Sequence, residues 1–108
     1  AFGSDAPVES IDPRLGRYAA VTRLDGAGKP PGGWLPDQRL RLHEAVDAFT
    51  RGAAFAAHRE AHLGRLVPGF QADLTVFSVH LETLDAAALP TAPLRATIIA
   101  GEVVWEAK

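Results

Sequence analysis

The most restrictive feature of the sequence is a pair of short β-branched and aromatic runs that meet at a tight turn. Residues 95–106 read RATIIAGEVVWE, and Ala100-Gly101 at the centre predicts a β-hairpin. A further run of strand length, Ala72 to Val79, has a similar composition. Consecutive apolar residues in these runs indicate strands buried on both faces. Since such a sheet needs cover on both sides, we expect the 108 residues alone to self-associate or rearrange.

The first half of the chain shows helical patterns instead. Asp12-Pro13, followed by apolar residues as far as Thr22, predicts an N-cap, a proline in the first turn and a short amphipathic helix. A second apolar stripe at helical spacing consists of Leu42, Ala45, Val46 and Phe49, and it continues through Ala53, Ala56 and Ala57. Gly52 is predicted to separate two helical pieces, and the small residues 52–54 allow close packing on a neighbouring element. The helical pattern gives way to a strand-rich pattern near Leu63.

The segment between the two helical stripes is predicted to be a loop. Residues 25–36, DGAGKPPGGWLP, hold four glycines and three prolines, which favour turns over helix or strand. Trp34 is expected to anchor this loop by packing on the core. Gly28-Lys29 lacks the spacing of a phosphate-binding loop and precedes a proline, so phosphate binding is not predicted.

Charge and composition narrow the functional classes. The chain of 108 residues and 11.5 kDa is one small domain or a piece of a larger one. Its net charge of -2 is too weak a field to attract phosphate backbones or anionic lipid, so neither nucleic acid nor membrane is an expected partner. No apolar run reaches the roughly 20 residues that cross a bilayer. The absence of cysteine removes thiolate chemistry and cysteine-based metal sites, and it favours the cytoplasm.

Histidines offer one candidate metal pair. His58 and His62 are four residues apart, which on a helix would place both imidazoles on one side. The glutamate that directly follows the first histidine in zinc proteases lies one position later here, so two solvent-facing histidines near a helix C-terminus are the more ordinary interpretation. His43 and His80 are isolated in sequence and are expected at the surface or at the edge of the core.

Asp5 is the candidate catalytic residue. It follows the apolar residues Ala1-Phe2, and Pro7 comes two positions later. A carboxylate at the C-terminal end of a strand, with a proline to end the ladder, lies where α/β barrels hold their chemistry. A turn or cap role is the more ordinary one for an aspartate at the end of a strand, and the residues alone leave the catalytic role open. Ser4 lacks the context of a nucleophile elbow, so no Ser-His-Asp triad is predicted.

Taken together, several segments resemble the C-terminal part of the amidohydrolase superfamily, and within it amidohydrolase family 3. In the first half these segments are residues 3–8, 12–13, 18–23, 38–40, 44–45 and 49–54. In the second half, LGRLVPGFQADL at residues 63–74 is similar to the family's G-x-L-x-P-G-x-x-A-D-L segment. Residues 98–104, IIAGEVV, are similar to its closing V-x-x-G-x-x-V hairpin. The resemblance covers nearly the whole chain in the right order.

The resemblance implies a metal-dependent hydrolase with a (β/α)8 TIM barrel and a small composite β-sandwich built from both ends of the polypeptide. Residues 1–62 would be the last barrel strand and the C-terminal helices, and residues 63–108 would be sandwich strands. The isolated chain would then be of the α+β class, whereas the full-length protein would be of the α/β class. In such enzymes the aspartate of the last barrel strand, here Asp5, contacts the metal and takes a proton from the attacking water. Ser4 and Pro7 would shape the turn at the strand end.

The sequence also departs from the family pattern. The family's His-x-His, its bridging lysine or carboxylate and its two later histidine ligands belong upstream of Asp5, and these 108 residues contain no His-x-His. One aspartate cannot hold a catalytic zinc, which needs about three protein ligands. We therefore expect a divalent metal, zinc first, and a small-molecule substrate only in the full-length enzyme, and no metal or activity in the isolated chain.

The expected reaction of that enzyme is hydrolysis of a C–N bond, or less often a C–O bond, and its remaining chain or a second copy is the expected partner of this segment. The alternative is a non-enzymatic, stand-alone α+β module for assembly or interaction. A reading frame that extends upstream and contains a His-x-His would distinguish the two.

Overall fold

The computed structural model describes residues 1–108 as three α-helices followed by a three-stranded antiparallel sheet. The helices are α1 (Pro13–Thr22), α2 (Leu42–Phe49) and α3 (Arg51–Ala56), and the strands are β1 (Leu74–Phe77), β2 (Leu94–Ile99) and β3 (Glu102–Glu106). Short 3-10 helices at Pro36–Gln38, Leu81–Thr83 and Ala86–Thr91 lie in the connections. The expectations of a helical first half, a strand-rich second half and an α+β isolated chain are confirmed.

Helix α1 begins where the sequence predicts. The Asp12 side chain accepts a hydrogen bond from the Arg14 backbone N–H at 2.9 Å, and Pro13 occupies the first turn, where its missing N–H costs nothing. The Asp12 carboxylate also accepts hydrogen bonds from the Arg14 side chain, and these hold the pKa of Asp12 below its usual value. At the other end, Arg23 takes a left-handed conformation and its N–H bonds to the Ala19 carbonyl.

The buried face of α1 differs from the predicted apolar stripe. Arg17 is its buried residue, whereas Leu15 is 40% exposed. Gly16 lies against α2, because a Cβ at this position would stand 2.6 Å from Cζ of Phe49. The small residue at position 16 therefore sets how closely α1 approaches α2.

The break between the two helical pieces after α1 lies at Thr50, so the prediction that Gly52 separates them is wrong. Thr50 has φ −114° and ψ −85°, and its hydroxyl donates to the Val46 carbonyl at 2.8 Å, an acceptor at the end of α2. Gly52 instead lies inside α3, where a Cβ would stand 3.2 Å from Cα of Ala1. The predicted close packing of this segment is confirmed.

The hairpin is confirmed, and its turn has the expected chemistry. Ala100 and Gly101 have φ values of 51° and 86°, the left-handed pair of a two-residue turn between β2 and β3. The Asp73 carboxylate accepts a hydrogen bond from the Ala100 N–H at 2.8 Å. This bond, together with one from the Gln71 side chain, holds the pKa of Asp73 below its usual value. Asp73 thus ties the start of β1 to the hairpin turn.

The prediction that the strands are buried on both faces is wrong for these 108 residues. Every residue of β3 is exposed, including Val103 at 59% and Trp105 at 48%, and Val76 of β1 is exposed as well. Strand β1 is also shorter than the predicted run, with Leu74–Phe77 in place of residues 72–79. The physical reason is that no helix of the chain covers β3.

The core is small and made mostly of alanine. Its buried apolar residues are Ala45, Ala54, Leu89, Ala92 and Ala96. Helix α1 packs on the 3-10 segment Ala86–Thr91 and joins the helical half to the sheet, and the Arg14 guanidinium donates to the Ala92 carbonyl at 3.0 Å. Trp34 lies outside this core, 63% exposed and stacked on Arg23, so its expected anchoring role is wrong.

Candidate functional site

Asp5 lies in an exposed turn that precedes α1. Its φ of 55° is left-handed, a conformation that aspartate adopts more readily than most residues. The Asp5 carbonyl accepts hydrogen bonds from the N–H groups of Val8 and Glu9, which closes the turn around Pro7. The side-chain carboxylate makes no hydrogen bond or ion pair and is free to meet a ligand.

The segment before Asp5 is fastened to α2 and does not form a strand. Residues 1–5 have no regular secondary structure. The Phe2 N–H donates to the Ala48 carbonyl at 2.8 Å, and the Phe2 ring packs edge-on against Phe49 with ring centroids 5.4 Å apart. A strand exists only through hydrogen bonds to a neighbouring strand, and these residues have none in the chain. The assignment of residues 1–5 to the last strand of a barrel stays a prediction.

The residues around Asp5 do not make a metal site by themselves. The structure holds no group of three or more histidine, cysteine, aspartate or glutamate side chains placed to bind one ion. Because a catalytic zinc takes about three protein ligands, Asp5 alone does not fit a resident metal.

The candidate metal pair His58 and His62 does not form on a helix. Helix α3 ends at Ala56, and His58 has a left-handed φ of 54°, so His58 and His62 do not share a helical face. Both side chains are exposed. The premise of helical spacing is wrong, because the chain turns back after α3 and Arg59 donates its N–H to the Ala54 carbonyl.

The other two histidines face a cleft of about 530 Å³ between α2 and β1. His43 of α2 and His80 after β1 are exposed, as expected, and Leu66, Val76 and Phe77 form part of the apolar lining. A second cleft of about 450 Å³ is lined by Ala1 and α3. Asp5 lines neither of these two clefts.

Arg17 is the polar residue that the sequence analysis missed. It is 8% exposed, with its guanidinium 5.8 Å from the centre of the Phe49 ring and 5.6 Å from that of Phe77. Burial lowers the pKa of Arg17. The sequence holds a signal for the burial of Arg17. Arg17 lies four residues from Pro13 and Val21 and three from Ala20, and residues at these spacings share one face of a helix.

Comparison with known proteins gives consistent results. A profile of the family described as "Amidohydrolase family" matches residues 1–105. YtcJ of Bacillus subtilis (strain 168), named as an amidohydrolase, is 34% identical over 106 residues, which cover 98% of this chain and 20% of YtcJ. The protein LONG AFTER FAR-RED 3 of Arabidopsis thaliana is 39% identical over 83 residues, 74% of this chain and 13% of that protein. No solved structure gives a significant match.

Proposed function

The chain belongs to the amidohydrolase family, and we propose that it serves as the C-terminal segment of a metal-dependent hydrolase that cleaves a C–N bond, or less often a C–O bond, of a small molecule. The observation that carries the proposal is the family match over residues 1–105. The chain spans about a fifth of the length of YtcJ and a smaller share of the plant relative, so it corresponds to a part of each of them.

The proposed architecture assigns residues 1–62 to the last strand and C-terminal helices of a TIM barrel, and residues 63–108 to a composite β-sandwich. Support comes from the uncovered sheet. The chain exposes 7637 Å², about 1,800 Å² more than the roughly 5,800 Å² of a folded monomer of 11.5 kDa. This surplus exceeds the roughly 800 Å² that each partner buries in a standard interface. We infer that the remaining part of an amidohydrolase chain, or a second copy, covers it.

The same surplus supports the second candidate function, a stand-alone module for assembly or interaction. In that case the apolar residues Val103, Val104 and Trp105 of β3 would contact a partner protein, and the module would catalyse no reaction. The two functions differ in what completes the fold. Only the hydrolase needs a carboxylate at position 5.

Asp5 is proposed as the catalytic carboxylate of the complete enzyme, where it accepts the proton of the attacking water. Its unpaired side chain, in a turn fastened to α2 through Phe2, leaves the carboxylate available for this role. The other ligands of the proposed zinc would come from outside these residues. No helix of the structure has the length and apolarity to cross a membrane. As a separate part of the proposal, the complete enzyme is cytoplasmic.

The test is turnover by the complete, metal-loaded enzyme that carries this segment. Asp5→Asn keeps the shape of the side chain but cannot accept a proton, and general-base help is worth about 10²–10⁴-fold in rate. We expect kcat to fall at least about 100-fold with little change in KM, because the residue acts on water more than on substrate.

Asp37→Asn is the matched control, since Asp37 is another exposed aspartate, in the short 3-10 helix Pro36–Gln38, and makes no side-chain hydrogen bond. The turnover of the Asp37→Asn enzyme should equal that of the unmodified enzyme. If Asp5→Asn keeps near-normal turnover while its Tm falls, Asp5 is a turn residue and the catalytic assignment is wrong. Measurable hydrolysis by the 108 residues alone would contradict the proposal that this segment is incomplete.

A further inference from the structure

Arg17 is a buried cation without a hydrogen-bond partner. Its guanidinium makes no hydrogen bond or ion pair in the structure, and its Nε is enclosed. A guanidinium carries five N–H donors, and a buried charged donor without an acceptor is strongly unfavourable. The terminal Nη1 and Nη2 groups are not fully enclosed, and they are the atoms that a ligand would contact.

The neighbours of Arg17 do not satisfy these donors. The rings of Phe49 and Phe77 attract the charge through their π faces, but they offer no acceptor to N–H groups in the guanidinium plane. Asp12, the carboxylate whose charge acts on Arg17, is already bound by Arg14, with the shortest contact at 2.6 Å. Arg17 therefore has no hydrogen-bond acceptor or paired carboxylate of its own in the chain.

We propose that Arg17 is the anchor of a carboxylate-binding site at the junction of α1, α2 and β1. The planar fork of arginine matches the two oxygens of a carboxylate. Because Arg14 is already paired with Asp12, the site offers a single positive charge, which suits a monoanion better than a phosphate group of about −1.5 to −2. The rings of Phe49 and Phe77 lower the local dielectric constant around the guanidinium, which strengthens its pairing with a carboxylate.

The proposal is tested by thermal unfolding in sodium acetate and in sodium chloride of equal ionic strength. At an acetate concentration ten times the dissociation constant, we expect the Tm of the unmodified chain to rise by roughly 5–10 °C relative to chloride. Arg17→Met should lose this rise, and it should melt in chloride at or above the unmodified Tm, because an unpaired buried charge is replaced by an apolar chain.

Arg51→Met is the matched control. Arg51 is exposed and already paired with Asp47 at 3.2 Å, so this variant should keep the full acetate effect. Direct binding is followed on the unmodified chain by the NMR shift of the Arg17 Nε–H during acetate titration, a measurement that does not depend on how any variant folds. No acetate-specific rise in Tm together with no shift at Arg17, or an equal rise in Arg17→Met, overturns the proposal.

A second ligand distinguishes between the two sources of the carboxylate, a protein side chain and a free small molecule. The capped peptide acetyl-Ala-Glu-Ala-amide presents the same group on a protein backbone. A lower dissociation constant for the peptide than for acetate assigns the site to an acidic side chain of a protein. Equal or weaker binding of the peptide assigns it to a free small carboxylate, and either result supports the site.

Discussion

Substitution of Gly16 by alanine has two opposite effects on the free energy of unfolding, and their sizes can be compared. Alanine is favoured over glycine in a helix interior by about 1 kcal/mol. The added Cβ would lie 2.6 Å from Cζ of Phe49, whereas carbon atoms in contact normally lie about 3.5–4.0 Å apart. The Phe49 ring is held on its other sides by Phe2 and Arg17, so it cannot simply turn away.

Overpacking of this kind costs about 1–3 kcal/mol, which outweighs the gain in helix propensity. We therefore expect Gly16→Ala to lower the free energy of unfolding by about 1 kcal/mol, equivalent to a fall in Tm of roughly 4–8 °C. Urea denaturation followed by circular dichroism measures the change. The matched control is Gly26→Ala, because Gly26 has open space around its Cβ position and no positive φ.

A double-mutant comparison separates the steric effect from the helical one. Phe49→Leu removes the ring atom that the new methyl group would meet, so in that background Gly16→Ala should become neutral or stabilising. If Gly16→Ala stabilises the unmodified chain, or if its effect is the same in the Phe49→Leu background, the contact between α1 and α2 does not control stability.

Three further predictions concern the packing, the pH dependence and the association of the chain. Gly64→Ala should lower the free energy of unfolding by more than about 2 kcal/mol, since φ is +83° and the new Cβ would lie 2.8 Å from the Thr50 carbonyl oxygen; a near-neutral result in urea would show that this segment is not docked on α3. Because the pKa values of Asp12 and Asp73 are lowered in the folded chain, their stabilisation is present above the unfolded value of 3.8 and is lost as pH falls below it. Thermal melts between pH 6 and pH 2 should show this loss of stability, and Asp73→Asn should reduce the loss. An unchanged pH profile of Asp73→Asn would contradict the hydrogen bond to Ala100. The exposed sheet should make the isolated chain associate in a sedimentation experiment; a monodisperse monomer that binds no ANS would argue against this.

The elements that the sequence predicted well are those determined by a few neighbouring residues. The Asp12-Pro13 helix start and the Ala100-Gly101 hairpin turn both depend on backbone preferences that act locally. The break at Thr50 was missed because glycine is the usual signal for the end of a helix. Here a threonine hydroxyl that bonds back to Val46 provides the break.

The errors arise where the outcome depends on distant parts of the chain. Trp34 and the three central residues of β3, Val103 to Trp105, are apolar, and composition alone predicts that they are buried. Burial requires a covering element, and the chain supplies none at these positions. The opposite error occurred at Arg17, where a charged residue lies inside and its aromatic neighbours come from α2 and β1. Asp5 could be singled out by resemblance, but its proposed catalytic role needs further metal ligands, and these residues do not supply them.

The order of the strands in the sheet also has a consequence for how the chain folds. Strands β1, β2 and β3 are neighbours in the same order as in the sequence, and no helix of the first half lies between them. The β2–β3 hairpin closes a two-residue loop, and hairpins of this kind form in about 1–10 μs. Sequence-local pairing of this type favours rapid folding. The sheet can therefore assemble before α1 docks on Ala86–Thr91, and its amide protons should gain protection from exchange earlier than those of the helical half.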